Sequence, residues 1–442
     1  MPFNDSLLTV VVMAEDGLAP THLPAIAALA DRLHKAPLVE LAVGGCFSNS
    51  GLREELHTLF QQEKIDTLLD IDPTIPLGAV ERAMTVSAQS PYILFWDITT
   101  TLHEGGIEEI LAFIEQCSPI EIAGMPAEHP LKFDPRCLLV NAALLRRAGV
   151  YQVLLDNQST RPLDVLQRYL MEYPVAGYAW PPSLQQAVAL AADNVSLRSG
   201  SQSVQEPTPG LLTVAVCTYG DFPVFIDRCM KSILREPRGT GGSSIIVGCN
   251  AVSAATVAAI VRNRDCGWPV SIALSRHNLN KSGMRRILLT LAESEYVASI
   301  DDDITLKPGW LRKLQRFLTT ASEGTLDATG CTLLSRYRPL QVGLFQGEFP
   351  YSCYPLRKRW WRWKKPTDGP DILFPAGGFH VMRTDFVRTH DYPDFQMLID
   401  FDDILLGDLI LQTGGVYSGF PLELVELIIV ELNRSRGVHG SG

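Results

Sequence analysis

The stretch Tyr296-Val-Ala-Ser-Ile-Asp-Asp-Asp-Ile304 decides the fold, because an apolar run ends there abruptly in three carboxylates. Val297 to Ile300 read as a short buried strand, with Asp301, Asp302 and Asp303 where that strand leaves its sheet. Adjacent carboxylates repel each other and resist desolvation, so such a cluster needs a cation or a cage of hydrogen-bond donors. Hard oxygen ligands at the carboxyl end of a strand suit Mg²⁺ or Mn²⁺ holding a diphosphate. The competing explanation is an acidic turn before the next helix, which begins near Pro308-Gly309-Trp310.

Upstream of the triplet, strands and helices alternate. Val214–Cys217, Ile245–Cys249 and Val270–Leu274 are continuous apolar strands, and the segments 224–234, 254–261 and 282–292 carry helical spacing. This alternation specifies an α/β fold with a mostly parallel sheet, Rossmann-like in plan. Ligands of such sheets bind beyond the carboxyl ends of the strands, so Thr218, Tyr219, Asn250, Asn278 and Asp301 are expected around one crevice.

The pattern occurs twice. Leu7-Leu-Thr-Val-Val-Val12 returns as Leu211-Leu-Thr-Val-Ala-Val216, Leu41-Ala-Val-Gly-Gly45 as Ile245-Ile-Val-Gly-Cys249, and Tyr92-Ile-Leu-Phe-Trp-Asp97 as Tyr296-Val-Ala-Ser-Ile-Asp301. The polar, Ser-, Pro- and Gly-containing stretch 197–210 separates the copies. The expected organisation is a domain over 1–196, a linker over 197–210 and a second domain over 211–442. The first copy offers only Asp97-Ile98-Thr99 where the second has three aspartates, and only Asp164 from the distal acidic cluster. One carboxylate does not hold a divalent ion on a diphosphate, so the chemistry is expected in the second copy alone.

Composition is that of a globular protein: 442 residues, 46% hydrophobic and 20% charged. The net charge of −11 is uneven, since residues 1–200 carry 12 basic against 24 acidic side chains and the remainder 26 against 25. The C-terminal half is therefore the better partner for an anion. Nine unpatterned cysteines argue against a zinc or disulfide framework, and no stretch is apolar enough for a membrane span. With no basic leader at the start, the expected setting is the cytoplasm.

Four segments in order resemble the nucleotide-sugar-dependent glycosyltransferases of the GT-A fold, family 2 above all. They are Val214-Ala-Val-Cys-Thr-Tyr219, Asn278-Leu-Asn-Lys-Ser-Gly-Met-Arg-Arg286, the Asp301-Asp302-Asp303 triplet, and Pro375-Ala-Gly-Gly-Phe-His-Val-Met-Arg383 followed by Asp400-Phe-Asp-Asp-Ile-Leu-Leu-Gly-Asp408. The resemblance covers roughly 211–421 and implies two tandem GT-A-like domains with a degenerate first copy. It implies a donor site of Thr218, Tyr219, Asn250, Asn278, Lys281, Arg285, Asp301, Asp302, Gly377 and Gly378. Asp303 and Asp301 become ligands of Mn²⁺ or Mg²⁺, and Asp403, with Asp402 beside it, the general base. Asp400 and Asp408 are alternatives for the base, and helix capping explains the same acidic cluster. Lys281 and Arg285 open a helix where cations and free N–H groups favour diphosphate, although an exposed basic helix face has the same composition. His380 is expected to be structural, with a substrate or metal contact as the alternative, and the two glycines to mark a close approach or a β-bulge. Asn250 departs from the acidic residue usual in the family.

The implied activity is inverting transfer of a hexose from a nucleotide sugar, UDP-glucose or another UDP-sugar, to a hydroxyl. Arg357-Lys-Arg-Trp-Trp-Arg-Trp-Lys-Lys365 interleaves cations with indoles, which suits an anionic acceptor, in its sharpest form a hydroxymethylated base in DNA. Lipid headgroups, or packing of the tryptophans on a neighbouring domain, explain the same segment. The rival functions are a nucleotidyltransferase and a non-catalytic nucleotide- or glycan-binding protein.

Overall fold

A computed structural model of the chain describes residues 6–15, 19–47, 50–98, 100–127, 133–148, 162–173, 175, 177–189, 210–238, 242–264, 267–322, 326–336, 351–352, 371–390 and 402–430. Among the described residues the first half contributes seven strands to the main sheet, and the second contributes seven counterparts and one more. The first seven are β1 (Leu8–Glu15), β2 (Val39–Cys46), β3 (Thr67–Ile71), β4 (Tyr92–Trp96), β5 (Ile122–Pro126), β6 (Phe133–Asn141) and β7 (Gly177–Ala179). Their counterparts are β8 (Leu212–Gly220), β9 (Ser244–Val252), β10 (Val270–Ser275), β11 (Tyr296–Asp301), β12 (Ala328–Arg336), β13 (Asp371–Arg383) and β14 (Tyr417–Gly419). Within each half the first four strands are parallel, in the order third, second, first, fourth. An antiparallel strand, β6 or β13, lies beyond the fourth. Their central residues are buried on both faces, as parallel strands covered by helices must be.

The two halves share one sheet. β3 and β10, each the outer strand of its parallel set, pair antiparallel and close a continuous 15-stranded sheet that includes Tyr351–Ser352 at one edge. The expectation of two domains with their own cores meets a different arrangement, because one core runs along each face of the sheet through both halves. A constant shift of 204 residues relates the copies: Leu8 to Leu212, Gly44 to Gly248, Leu69 to Ala273 and Tyr92 to Tyr296 occupy matching register positions. Across the seam Leu69 faces Ala273, its own equivalent, while Leu68 faces Leu274 and Asp70 faces Ile272. The pairing is therefore symmetric about one point, as in an isologous contact between identical subunits. Helices α1 (Leu77–Ser87) and α2 (Asn280–Leu291), also equivalents, pack on each other beside that point. Both lie close to the sheet at glycine: a Cβ on Gly44 would stand 2.7 Å from Met84 Sδ, and one on Gly248 2.7 Å from Met284 Cγ.

On the other face the seam is polar. Asp70, 0% exposed, takes ion pairs from Arg53 (3.3 Å), His57 (3.0 Å) and Arg264 of the second half. Burial raises the Asp70 carboxyl, but its bonds to His57 and Arg264 prevail and hold it below the ordinary range. The stabilisation is thus present above the unfolded-state value and lost as pH falls through the depressed one. Asp70→Ala strands two guanidinium groups and an imidazole with little solvent, so it is expected to cost about 3–5 kcal/mol in urea denaturation. Asp70→Asn should flatten the acid limb of the stability curve, and an unchanged limb would show the cluster to be inert.

Candidate active site

The parallel strands β8, β9, β10 and β11 end at one edge of the sheet, and the segments leaving those ends form the site. Asn250 lies in β9 and is 3% exposed. Its side-chain amide donates to Asn278 Oδ1 (2.8 Å) and to the Asn280 carbonyl (3.2 Å), while its Oδ1 accepts from the Leu279 N–H (2.7 Å). Asn278 Oδ1 also accepts the Asn280 N–H at 2.9 Å. This lattice fixes the segment that starts α2, including Asn280 at φ 59°, a left-handed geometry that asparagine tolerates. It also explains the departure at position 250: a carboxylate would set oxygen against the Asn278 and Asn280 oxygens, where the amide donates.

From α2, Lys281 and Arg285 stand on one helix face at i, i+4 spacing and converge on Asp301, the last residue of β11. Lys281 Nζ donates to Asp301 Oδ2 (2.8 Å) and Arg285 Nη2 to Oδ1 (2.9 Å). Arg285 Nη2 also donates to the Gly377 carbonyl at 2.6 Å. The Arg285 side chain is 2% exposed, so the exposed-helix-face explanation is corrected for it: the charge is buried, with Leu288 and Leu289 on the next turn. The Lys281 side chain, 27% exposed, is the cation that reaches the surface.

Asp302, expected in the donor set, is the first residue of the turn after β11. It is 1% exposed and accepts the Thr218 hydroxyl, which is itself buried, so both residues join β8 to the turn. Asp303 is half-buried in the turn. Tyr219, 49% exposed, meets Phe222 edge-on at 5.6 Å and forms an aromatic wall beside the end of β8. Burial pushes the Cys217 thiol up to about 12 against the pull of Arg285, and burial likewise raises Cys249, so neither thiol is a nucleophile.

Gly377 and Gly378 lie where the β12–β13 register shifts: Gly330 faces His380, yet Thr332 faces Pro375. The β-bulge is present, and a Cβ on Gly378 would stand 3.3 Å from Ile304 Cδ1 and 4.0 Å from Asp301 Oδ2. His380 is fully buried between Ser299 and Gly330 in the sheet, which is its structural place. Asp402 and Asp403 open α3 (Asp402–Thr413), a helix packed along β13. Asp400 and the segment Arg357–Lys365 lie outside the described residues.

Residues 213–390 match the family model described as glycosyl transferase family 2. This segment is a family 2 glycosyltransferase domain. Among solved structures, the chain is similar to S. aureus TarS 1-349 at 15% identity and TM-score 0.34, covering 48% of this chain and 58% of that one. It is similar to the mannosyltransferase PcManGT from Pyrobaculum calidifontis, in complex with GDP-Man and Mn²⁺, at 15% identity and TM-score 0.34, covering 49% and 56%. TarS 1-349 in complex with UDP-GlcNAc matches at 15% identity and TM-score 0.33, covering 48% and 56%. The chain thus spans little more than half the length of these proteins, and such scores show no detail of the site. No curated protein matches the sequence.

Family 2 domains imply a divalent ion. Among the described residues no three ligating side chains gather at one point. Mg²⁺ and Mn²⁺ on diphosphates need only one or two carboxylates, the phosphates and water supplying the rest, so Asp303 and Asp301 fit as the protein's share. Asp301 would share its oxygens with Lys281 and Arg285. The first half has no such set. The shift of 204 puts Leu77, Glu81, Cys46, Thr74 and Ala14 where the second half has Lys281, Arg285, Asn250, Asn278 and Thr218, and keeps only Asp97 for Asp301.

Nothing in the residue pattern signals that Arg285 ties Asp301 to the Gly377 carbonyl; the i, i+4 spacing of Lys281 and Arg285 is the available clue. Arg285→Ala removes both bonds and opens a buried space, so an unfolding cost of about 2–5 kcal/mol is expected, read from the urea midpoint. Arg285→Lys should recover less than half of it, because the shorter lysine does not carry its ammonium to where Nη2 meets both acceptors.

Proposed function

We propose that the chain is a metal-dependent, inverting glycosyltransferase that moves a hexose from a nucleotide sugar, a UDP-sugar, to a hydroxyl acceptor. The observation that carries this reading is the convergence of Lys281, Arg285 and Asp301 at the strand ends of a family 2 domain. Lys281 and Arg285 offset most of the charge of the aspartate triplet, and the remainder suits a divalent ion carrying a diphosphate. Lys281, flexible and partly exposed, donates to the phosphate oxygens, and Arg285 keeps Asp301 in place from behind. Tyr219 offers its exposed ring to the nucleobase. Asp303 and Asp301 would hold a divalent ion together with the donor, and that ion would supply positive charge against the departing diphosphate.

Asp403 accepts the acceptor's hydroxyl proton as general base, with Asp402 beside it at the start of α3. As the hydroxyl oxygen bonds to the anomeric carbon, the bond from that carbon to the diphosphate oxygen breaks with its electron pair, and the configuration inverts. The glycines at 377 and 378 let the backbone lie close to the sugar. The Arg357–Lys365 cations and indoles support an anionic acceptor, with a hydroxymethylated base in DNA as its sharpest form. In this reading the first half is a degenerate copy serving as scaffold, and the setting is cytoplasmic, in keeping with free thiols at Cys46, Cys117, Cys137, Cys217, Cys229 and Cys249.

With Mn²⁺ and a panel of nucleotide sugars, the protein is expected to release nucleoside diphosphate. Pyrophosphate release from a triphosphate would instead establish the nucleotidyltransferase. Asp403→Asn should lower kcat about 10²- to 10⁴-fold with donor KM little changed, and Asp303→Ala should abolish the metal-dependent rise in Tm with UDP. Binding to DNA should weaken steeply with salt; no affinity at low ionic strength removes the nucleic-acid acceptor.

A further inference from the structure

The connection from β10 to α2 is short: Arg276, His277, Asn278 and Leu279 join the seam strand to the helix that carries Lys281 and Arg285. Its far end is fixed within the second half by Asn250. Its near end is fixed by the first half. The Arg276 N–H donates to the Asp66 carbonyl at 2.9 Å, and the guanidinium donates to the Glu63 carbonyl at 2.7 Å and pairs with the Glu63 carboxylate at 3.0 Å. Arg276 also lies 3.5 Å from Asp66 Oδ1. His277 Nε2 lies 3.4 Å from Glu40 Oε1 and 3.5 Å from Asp66 Oδ1. Asp66 is itself held, accepting the Leu41 N–H at 2.9 Å.

We propose that the first half tunes donor binding in the second through this contact: Glu40, Glu63 and Asp66 clamp Arg276 and His277, which are positioning residues for Asn278, Lys281 and Arg285. This rests on the donor site proposed above. The antiparallel seam makes the arrangement possible, because it sets the start of β3 beside the end of β10. An antiparallel partner thus brings the base of the first half's sheet against the strand-end loops of the second. The function retained by a copy without the catalytic set is then to supply three carboxylates to the other copy's loop.

The clamp depends on pH through His277. The Asp66 carboxylate, 3.5 Å from Nε2, raises its pKa, burial opposes this, the Glu40 charge raises it further, and Arg276 lowers it. Glu40, lifted by burial, is pulled back toward the charged form by His277. A raised histidine contributes fully below its unfolded-state value, and its share is lost as pH rises through the folded value.

The test uses full-length Asp66→Asn, Glu40→Gln and His277→Gln, with folding checked by Tm. Asparagine at 66 can still accept from Leu41 N–H, so the charge alone is removed. Hydrogen exchange of the 276–281 amides, corrected for intrinsic rates, is expected to quicken roughly three- to tenfold. Affinity for UDP with Mn²⁺, and donor KM, should weaken by a similar factor while kcat moves less than about twofold. In the unmodified protein exchange should quicken as pH rises through the His277 value, and in His277→Gln it should not. Unchanged exchange, or faster exchange with unchanged UDP affinity, overturns the proposal. Failure of the unmodified protein to bind any nucleotide would instead refute the donor site, and with it the functional half of the proposal, while exchange still reports on the clamp.

Discussion

Everything in this chain depends on the antiparallel pairing of β3 with β10. Each is the outer strand of a parallel set, and an uncovered outer strand presents unpaired N–H and C=O groups. Here each covers the other. Because Leu69 faces its own equivalent, Ala273, the geometry satisfies both edges with one rule, and α1 and α2 meet over the same point to bury its apolar face. The opposite face is closed by Asp70 with Arg53 and His57 from the first half and Arg264 from the second. Such a buried ionic cluster adds little net stability by itself, but its loss leaves charges without partners, which penalises any other register. The cores then run unbroken from one half into the other.

A symmetric frame carries asymmetric chemistry. Gly44 and Gly248 admit equivalent helices at equivalent distances, yet the side chains that converge on the strand ends differ. Glu81 is buried where Arg285 stands in the second half, and Leu77 occupies the place of Lys281. Arg285 pairs with Asp301 in the second half, and neither Leu77 nor Glu81 brings a cation to the equivalent place. The backbone alone therefore does not set the charge at the strand ends; the side chains at 281 and 285 do.

Much of the fold was legible in the sequence, for identifiable reasons. Continuous apolar runs such as Leu41–Val43 and Ile245–Val247 announce strands buried on both faces, and the repeated order of Leu8, Gly44 and Tyr92 against Leu212, Gly248 and Tyr296 announces the duplication. The seam was not legible, because antiparallel pairing between segments some 200 residues apart leaves no period in the chain. In the candidate site, the Asp triplet and the Asn278–Arg286 segment meet at one edge of the sheet, as their order in the sequence suggests. What the sequence could not supply was direction. Alternation along the strand end turns Asp302 inward to Thr218 while Asp301 meets α2, and identical side chains one residue apart carry no mark of that difference. Asn250 looked like a loss of acidic character. Its three hydrogen bonds show that the amide is required, since only it can both donate to Asn278 and accept from Leu279.

The charge arrangement at Asp301 is a consequence of these constraints. Arg285 is buried on the apolar side of α2, where a guanidinium without a partner would cost several kcal/mol, so Asp301 and the Gly377 carbonyl are its necessary acceptors. That fixes Asp301 Oδ1 and pulls the bulged strand of Gly377 and Gly378 onto the end of β11. The second oxygen, Oδ2, lies with Lys281 at the partly exposed rim. One carboxylate therefore divides its work between a structural cation behind it and a reachable cation in front. An anion arriving at the rim competes with Oδ2 for Lys281 alone and leaves the bond to Arg285 in place. Binding there rearranges one flexible side chain while the strand ends, the bulge and the Asn250 lattice stay as they are, which is the preorganisation that a diphosphate site requires.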